Sequence, residues 1–297
     1  MFELKGIITA MVTPMNDNQE IDEGATRKMV RMLIDRGVHG LFIIGTNGEF
    51  HLLNEEEKVQ FAKIVIDEAN HEIPIYVGTG GNSTGEVIKL TKRIKELGAD
   101  AVSVITPYYL PPSQADLLEH YKAIAEAVDI PIILYNIPGN TGINIEPDSV
   151  RELAKIPNII GVKDSSGNID NIKAYLDVTK DSDFVVLSGS DSLILKSLKI
   201  GTVGAIAATS NVLPEIDVDI YNSFINGDIE RAEKAQESIN PLRMVLKKGV
   251  APSIMKKMLN LVGYKAGQPR LPIREPNEEI IEEIKEIIEH YHIQYEA

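Results

Sequence analysis

Eight short runs of apolar and β-branched residues punctuate this 297-residue chain, and each is followed by a longer segment with amphipathic helical spacing. They span Gly6 to Pro14, Gly40 to Gly45, Ile73 to Gly80, Asp100 to Pro107, Ile130 to Pro138, Ile159 to Ser165, Phe184 to Ser190 and Val203 to Thr209. A run that stays apolar instead of alternating suits a strand covered on both faces, and strands that alternate with helices build a parallel sheet. Eight βα units point to a closed (β/α)8 barrel, because open doubly wound sheets more often have fewer strands.

Helix signals sit between the runs. Asn54 followed by Glu57, and Ser83 followed by Glu86, have capping-box spacing, Pro147 suits a first helical turn, and Gly37 and Gly98 suit the residue after a helix C-terminus. The eighth barrel helix is expected from about Pro214 to Asn226, dividing the chain into a catalytic barrel over 1–226 and a helical extension over 227–297. The extension is expected to hold helices over Ile229 to Lys248 and Ala251 to Val262, then a Gly- and Pro-rich loop from Gly263 to Pro276. A last helix carries Ile280, Ile281, Ile284, Ile287, Ile288 and Tyr291 at helical spacing, the pattern of a packing face.

A formal net charge of −14 opposes a nucleic-acid or anionic-membrane surface, whose affinity comes from clustered Lys and Arg. The absence of cysteine removes disulfides and thiolate chemistry and fits a reducing compartment. The segment from Met1 shows no basic stretch before an apolar core, and no apolar run nears the ~18 residues of a membrane span, so a soluble, cytoplasmic protein is expected. The six histidines form no H-E-x-x-H pattern, and no metal site is expected. Gly78-Thr79-Gly80-Gly81 does not complete a dinucleotide fingerprint, since Ser83 stands where its third glycine would be.

Lys163 is the only one of 21 lysines inside a predicted strand, in Ile159-Ile160-Gly161-Val162-Lys163-Asp164-Ser165. A lysine in such a strand snorkels to solvent, pairs with a carboxylate, here Asp164, or loses its proton. The last course creates a nucleophile: an ordinary lysine with a pKa of ~10.4 is almost wholly charged at neutral pH, whereas desolvation toward ~7 raises its uncharged fraction about a thousandfold. Imine-forming enzymes depend on that change.

Barrel enzymes place reactive groups at the C-terminal ends of strands and in the loops that follow. After strand two comes Gly45-Thr46-Asn47-Gly48-Glu49, a turn whose N–H groups could converge on a carboxylate, or a plain βα turn with Glu49 solvated. Strand four ends in Thr106-Pro107-Tyr108-Tyr109 and strand five in Tyr135-Asn136-Ile137-Pro138-Gly139-Asn140-Thr141-Gly142, and a phenol helped by a hydroxyl such as Thr46 can relay protons. Strand alternation favours an inward Lys163 with Gly161 beneath it and Tyr135 at comparable height on the preceding strand. Strand seven ends in Leu187-Ser188-Gly189-Ser190-Asp191, and strand eight contains Gly204-Ala205-Ile206, small residues that leave room for a ligand.

In their order and spacing these motifs resemble the dihydrodipicolinate synthase/N-acetylneuraminate lyase family of class I, pyruvate-dependent aldolases, over essentially the whole chain. The resemblance implies a TIM barrel in which Lys163 forms an imine with pyruvate or a 2-oxo acid, Tyr135 is the general acid/base, and Thr46 links Tyr135 to Tyr109 of a neighbouring subunit. It further implies that the Thr46 and Asn47 N–H groups hold the pyruvate carboxylate, that Gly189 and Ile206 line the pocket, that no cofactor is needed, and that the assembly is a homotetramer built as a dimer of dimers. Two positions depart from the synthases: Asn140 replaces an arginine that binds the carboxylate of aspartate semialdehyde, and Asn47 replaces a threonine. Losing a guanidinium removes a bidentate, charge-assisted contact worth ~2 kcal/mol or more. The motifs therefore resemble more closely the branch that cleaves 4-hydroxy-2-oxoglutarate or 2-keto-3-deoxy sugar acids, with 4-hydroxy-tetrahydrodipicolinate synthase as the alternative. Of the positions that form a lysine feedback site in the family, Asn82, Glu86 and Tyr108 match, while Phe50, His51, Glu55 and Lys58 do not, so lysine inhibition is not expected.

Overall fold

In the computed structural model, which describes residues 3–293, the eight runs form eight parallel strands. They are β1 (Gly6–Ala10), β2 (Gly40–Ile43), β3 (Ile75–Gly78), β4 (Ala101–Ile105), β5 (Ile132–Asn136), β6 (Ile159–Asp164), β7 (Val185–Ser188) and β8 (Gly204–Ala207). They pair in chain order and close into a barrel, with β8 returning to β1. Most of the strands are shorter than their apolar runs because the last residues of those runs leave the ladder to form the loops of the mouth.

The pleat separates two faces. Phe42 stands on β2 and Lys163 on β6, yet the Lys163 Nζ lies 4.7 Å from the Phe42 ring centre. Strands on opposite walls of a closed barrel meet only through its interior, so both residues point inward. Their register partners share that face: Ala10 and Tyr76 flank Phe42, and Tyr135 and Leu187 flank Lys163. The fully buried Tyr76 ring fits because Gly40 has no side chain; a Cβ there would come within 2.8 Å of Tyr76 Cε2. Ile7, Ala205 and Ala207, in the alternate register, face outward and pack on Ile194, Leu198 and Ile220 of the surrounding helices.

Most helix punctuation is realised. Asn54 and Glu57 form a reciprocal capping box at helix Glu55–Ala69, Pro147 opens helix Pro147–Leu153, and Gly37 and Gly98 take positive φ after their helices. Ser83 makes only half of the expected box: its hydroxyl accepts from the Glu86 N–H, and the return bond is not formed.

After barrel helix Pro214–Ile225 come Ile229–Ser238, Asn240–Leu246, Ala251–Leu261 and Glu278–His290. The single helix expected over Ile229 to Lys248 is thus two, because Pro241 lacks the N–H that would continue the ladder and instead occupies the first turn of the second helix. The isoleucine stripe of the last helix packs inward through Ile281, Ile284 and Ile288. No described helix is long and apolar enough to cross a membrane.

Candidate active site

Lys163 is 4% exposed and sits between two aromatic rings, its Nζ 4.1 Å from the centre of Tyr135 and 4.7 Å from that of Phe42. Among the described residues no carboxylate lies within ion-pairing distance of it. Asp164, the adjacent candidate partner, points out of the barrel, as strand alternation requires. Its carboxylate accepts from Asn136 Nδ2 at 2.7 Å, Asn171 Nδ2 at 2.8 Å and Ser166 Oγ at 2.5 Å. Burial pushes the Asp164 carboxyl above the usual range, and these hydrogen bonds pull it back. Both rings thus lie within cation–π distance of the lysine head, a contact worth ~0.5–2 kcal/mol.

Tyr135 is directly opposite Lys163 in the β5–β6 register, and its hydroxyl lies 3.1 Å from Thr46 Oγ1. The β2 turn thus reaches across to β5. Its outer side is pinned: Thr13 Oγ1 donates to Gly48 O at 2.8 Å, and Asn47 Nδ2 donates to Ala10 O at 3.3 Å. The backbone N–H groups of Thr46 and Asn47 donate to no described protein acceptor, which leaves them for an anion. Glu49 is not solvated; it is fully buried beneath the turn and ion-paired with Lys256 at 2.5 Å.

A side chain at Gly189 would crowd Ser165 and the lysine stem. The Gly189 N–H donates to Asp164 O at 2.7 Å, and a Cβ would meet Ser165 Oγ at 2.0 Å and Lys163 Cε at 2.9 Å. Ile206 is buried on β8, opposite Ile8 and two residues beyond the glycine that faces Leu187, which places it on the inner wall. Asn140, exposed on the one-turn helix Pro138–Thr141, lines a cavity of about 230 Å³ with Thr46, Phe50, His51, Tyr108 and Thr141. Burial lowers the His51 imidazole, while the nearby Glu49 charge raises it. Tyr109 is not brought to this cluster within the chain: it is 88% exposed, in left-handed backbone at φ 79°.

Sequence reasoning brought together Lys163, Tyr135 and Thr46 but missed Phe42, the second ring against the lysine, and the Glu49–Lys256 pair. Lys256 had a signal: it lies four residues after Pro252 and three before Leu259, both buried, and so on the apolar stripe of its helix.

The sequence profile of the dihydrodipicolinate synthetase family matches residues 3–291. A 4-hydroxy-tetrahydrodipicolinate synthase from Methanospirillum hungatei is 39% identical over 293 residues, covering 98% of this chain and 100% of the relative. One from Archaeoglobus fulgidus is 41% identical over 288 residues, covering 97% and 98%. Among solved structures, a chloride-inhibited dihydrodipicolinate synthase from Acinetobacter baumannii complexed with pyruvate superposes with a TM-score of 0.95 at 37% identity, covering 98% of this chain and 100% of that one. The chain therefore belongs to the dihydrodipicolinate synthetase family of class I, pyruvate-dependent lyases and aldolases.

Proposed function

We propose that Lys163 condenses with the ketone of pyruvate and that the resulting enamine joins an aldehyde, aspartate semialdehyde being the partner best supported, to give the 4-hydroxy-tetrahydrodipicolinate synthase reaction. The observation that carries the imine chemistry is a buried amine, without an ion-pair partner among the described residues, beside the Tyr135 phenol and its Thr46 hydroxyl contact. Lys163 Nζ adds to the carbonyl carbon, and Tyr135, in exchange with Thr46, protonates the carbinolamine oxygen, which departs as water. The Thr46 and Asn47 N–H groups hold the substrate carboxylate, while Gly189 and Ile206 close the pocket. The iminium is its own electron sink, so the step calls for neither metal nor prosthetic group. Tyr135, left deprotonated by the departure of water, takes a proton from the pyruvate methyl carbon, which gives the enamine that attacks the aldehyde.

The names of the relatives support the synthase. A second reading, release or addition of pyruvate on a 2-keto-3-deoxy acid or 4-hydroxy-2-oxoglutarate, is favoured by Asn140, which offers an amide where a second carboxylate would want a guanidinium. Cytoplasmic placement and a homotetramer belong to the same proposal. For the assembly, the support is the exposed Tyr109-Leu110 pair and the cavity beside Thr46, which is wide enough to take a phenol from a second copy.

Reduction with borohydride in the presence of pyruvate is expected to leave a mass adduct on the Lys163 peptide; label elsewhere, or none, overturns the imine. Rates with pyruvate and aspartate semialdehyde, glyoxylate or glyceraldehyde separate the two substrate readings. A preference for either of the latter by a hundredfold would replace the synthase with the aldolase.

A further inference from the structure

Glu49 and Lys256 are both 0% exposed, with Oε2 and Nζ 2.5 Å apart. Glu49 stands at the end of the Thr46–Asn47 turn in left-handed backbone at φ 56°, whereas Lys256 belongs to helix Ala251–Leu261 of the extension. Each partner makes one further contact with the loop after that helix. Glu49 Oε1 accepts from the Arg270 N–H at 2.8 Å, and Lys256 Nζ donates to Gln268 O at 3.2 Å. The Arg270 guanidinium donates to Leu52 O at 3.0 Å, to Gln19 O, and to Glu57 of the capping box at 2.8 Å. Burial drives the Lys256 ammonium down, against the upward pull of Glu49. Among the described residues none of these groups hydrogen-bonds or ion-pairs with Lys163 or Tyr135.

We propose that the Glu49–Lys256 pair, closed by Arg270, is a positioning device that fixes the peptide planes of Thr46 and Asn47 from behind, so that the extension, touching no reacting atom, sets the affinity for the substrate carboxylate. This rests on the reading that those N–H groups bind pyruvate. The turn needs such a device because two of its N–H groups have no protein acceptor among the described residues. A turn with unpaired donors relaxes toward any nearby acceptor unless its other side is held. A fully buried ion pair holds it with a direction that apolar packing lacks, since moving either charge leaves the other unpaired out of water.

The test uses the full-length protein with three variants: Lys256→Met, the double variant Glu49→Leu/Lys256→Met, which leaves no orphaned charge should the single variant not fold, and Ile284→Ala, which loosens the extension elsewhere. Borohydride trapping of the pyruvate adduct is followed against pyruvate concentration, and KM for the aldehyde is measured alongside. The half-saturating pyruvate concentration is expected to rise roughly tenfold or more in both pair variants, with maximal trapping and aldehyde KM near wild type. In Ile284→Ala it is expected to stay unchanged despite a lower Tm. Half-saturation within twofold of wild type in the folded double variant overturns the proposal, as does an equal rise in Ile284→Ala. Absence of any Lys163 adduct in the wild type would instead overturn the imine reading, and the positioning role with it.

Discussion

The Tyr135 phenol meets the Thr46 hydroxyl at 3.1 Å while Lys163 Nζ lies 4.1 Å from the centre of its ring. In the proposed reaction one residue therefore packs the amine and addresses the oxygen that leaves the carbinolamine, and these roles separate chemically. Tyr135→Phe keeps the ring and loses the proton path. Its kcat is expected to fall roughly a hundredfold or more, with pyruvate binding weakened far less, as steady-state kinetics against direct pyruvate titration would show. Equal losses in both would assign Tyr135 to binding. At this scale the sequence was informative about Lys163, because alternation along β6 sends it inward and Asp164 outward. It was silent about Phe42, whose ring comes from the opposite wall.

At the scale of elements, caps and prolines decided boundaries, and one junction concentrates charge. Asp217, in the first turn of helix Pro214–Ile225, is fully buried; Thr209 Oγ1 donates to its Oδ2 at 2.7 Å, and its Oδ1 has no described partner. Burial first, and the neighbouring Asp191 charge second, hold its carboxyl well above the usual range against the Thr209 hydrogen bond. Because the folded state binds this proton more tightly than the unfolded chain, the stability it contributes is complete below the ordinary carboxylate pKa of ~3.9 and is lost as pH rises through the raised folded value. Asp217→Asn keeps an acceptor for Thr209 and cannot ionise. Its Tm is expected to exceed that of wild type near neutrality, the gap closing as pH falls toward about 4. A gap that does not vary with pH would contradict this account. Element order was legible from periodicity, since eight apolar runs became eight strands. The break at Pro241 was also legible in principle, but continuous helical spacing masked it.

For the whole molecule, closure of the barrel brings three separate loops to one mouth and leaves Tyr109 outside it. A bulky residue held at positive φ costs ~1–3 kcal/mol, and Tyr109 stands beside Leu110 at 77% exposure, the pair on which the proposed assembly rests. Light scattering is expected to report a tetramer, and Tyr109→Phe to lower kcat while the assembly persists. A monomer of full activity would remove Tyr109 from the reaction. The sequence by itself determined the eight-unit barrel, the inward lysine and the order of the motifs, because pleat alternation, helical period and capping chemistry are written in neighbouring residues. Only the tertiary structure decided that Phe42 shares the lysine and that Glu49 is tied to Arg270, 221 residues away, as well as to Lys256. Local spacing cannot name such partners, for which buried charge or open ring happens to meet another is settled by how the closed barrel and its extension pack.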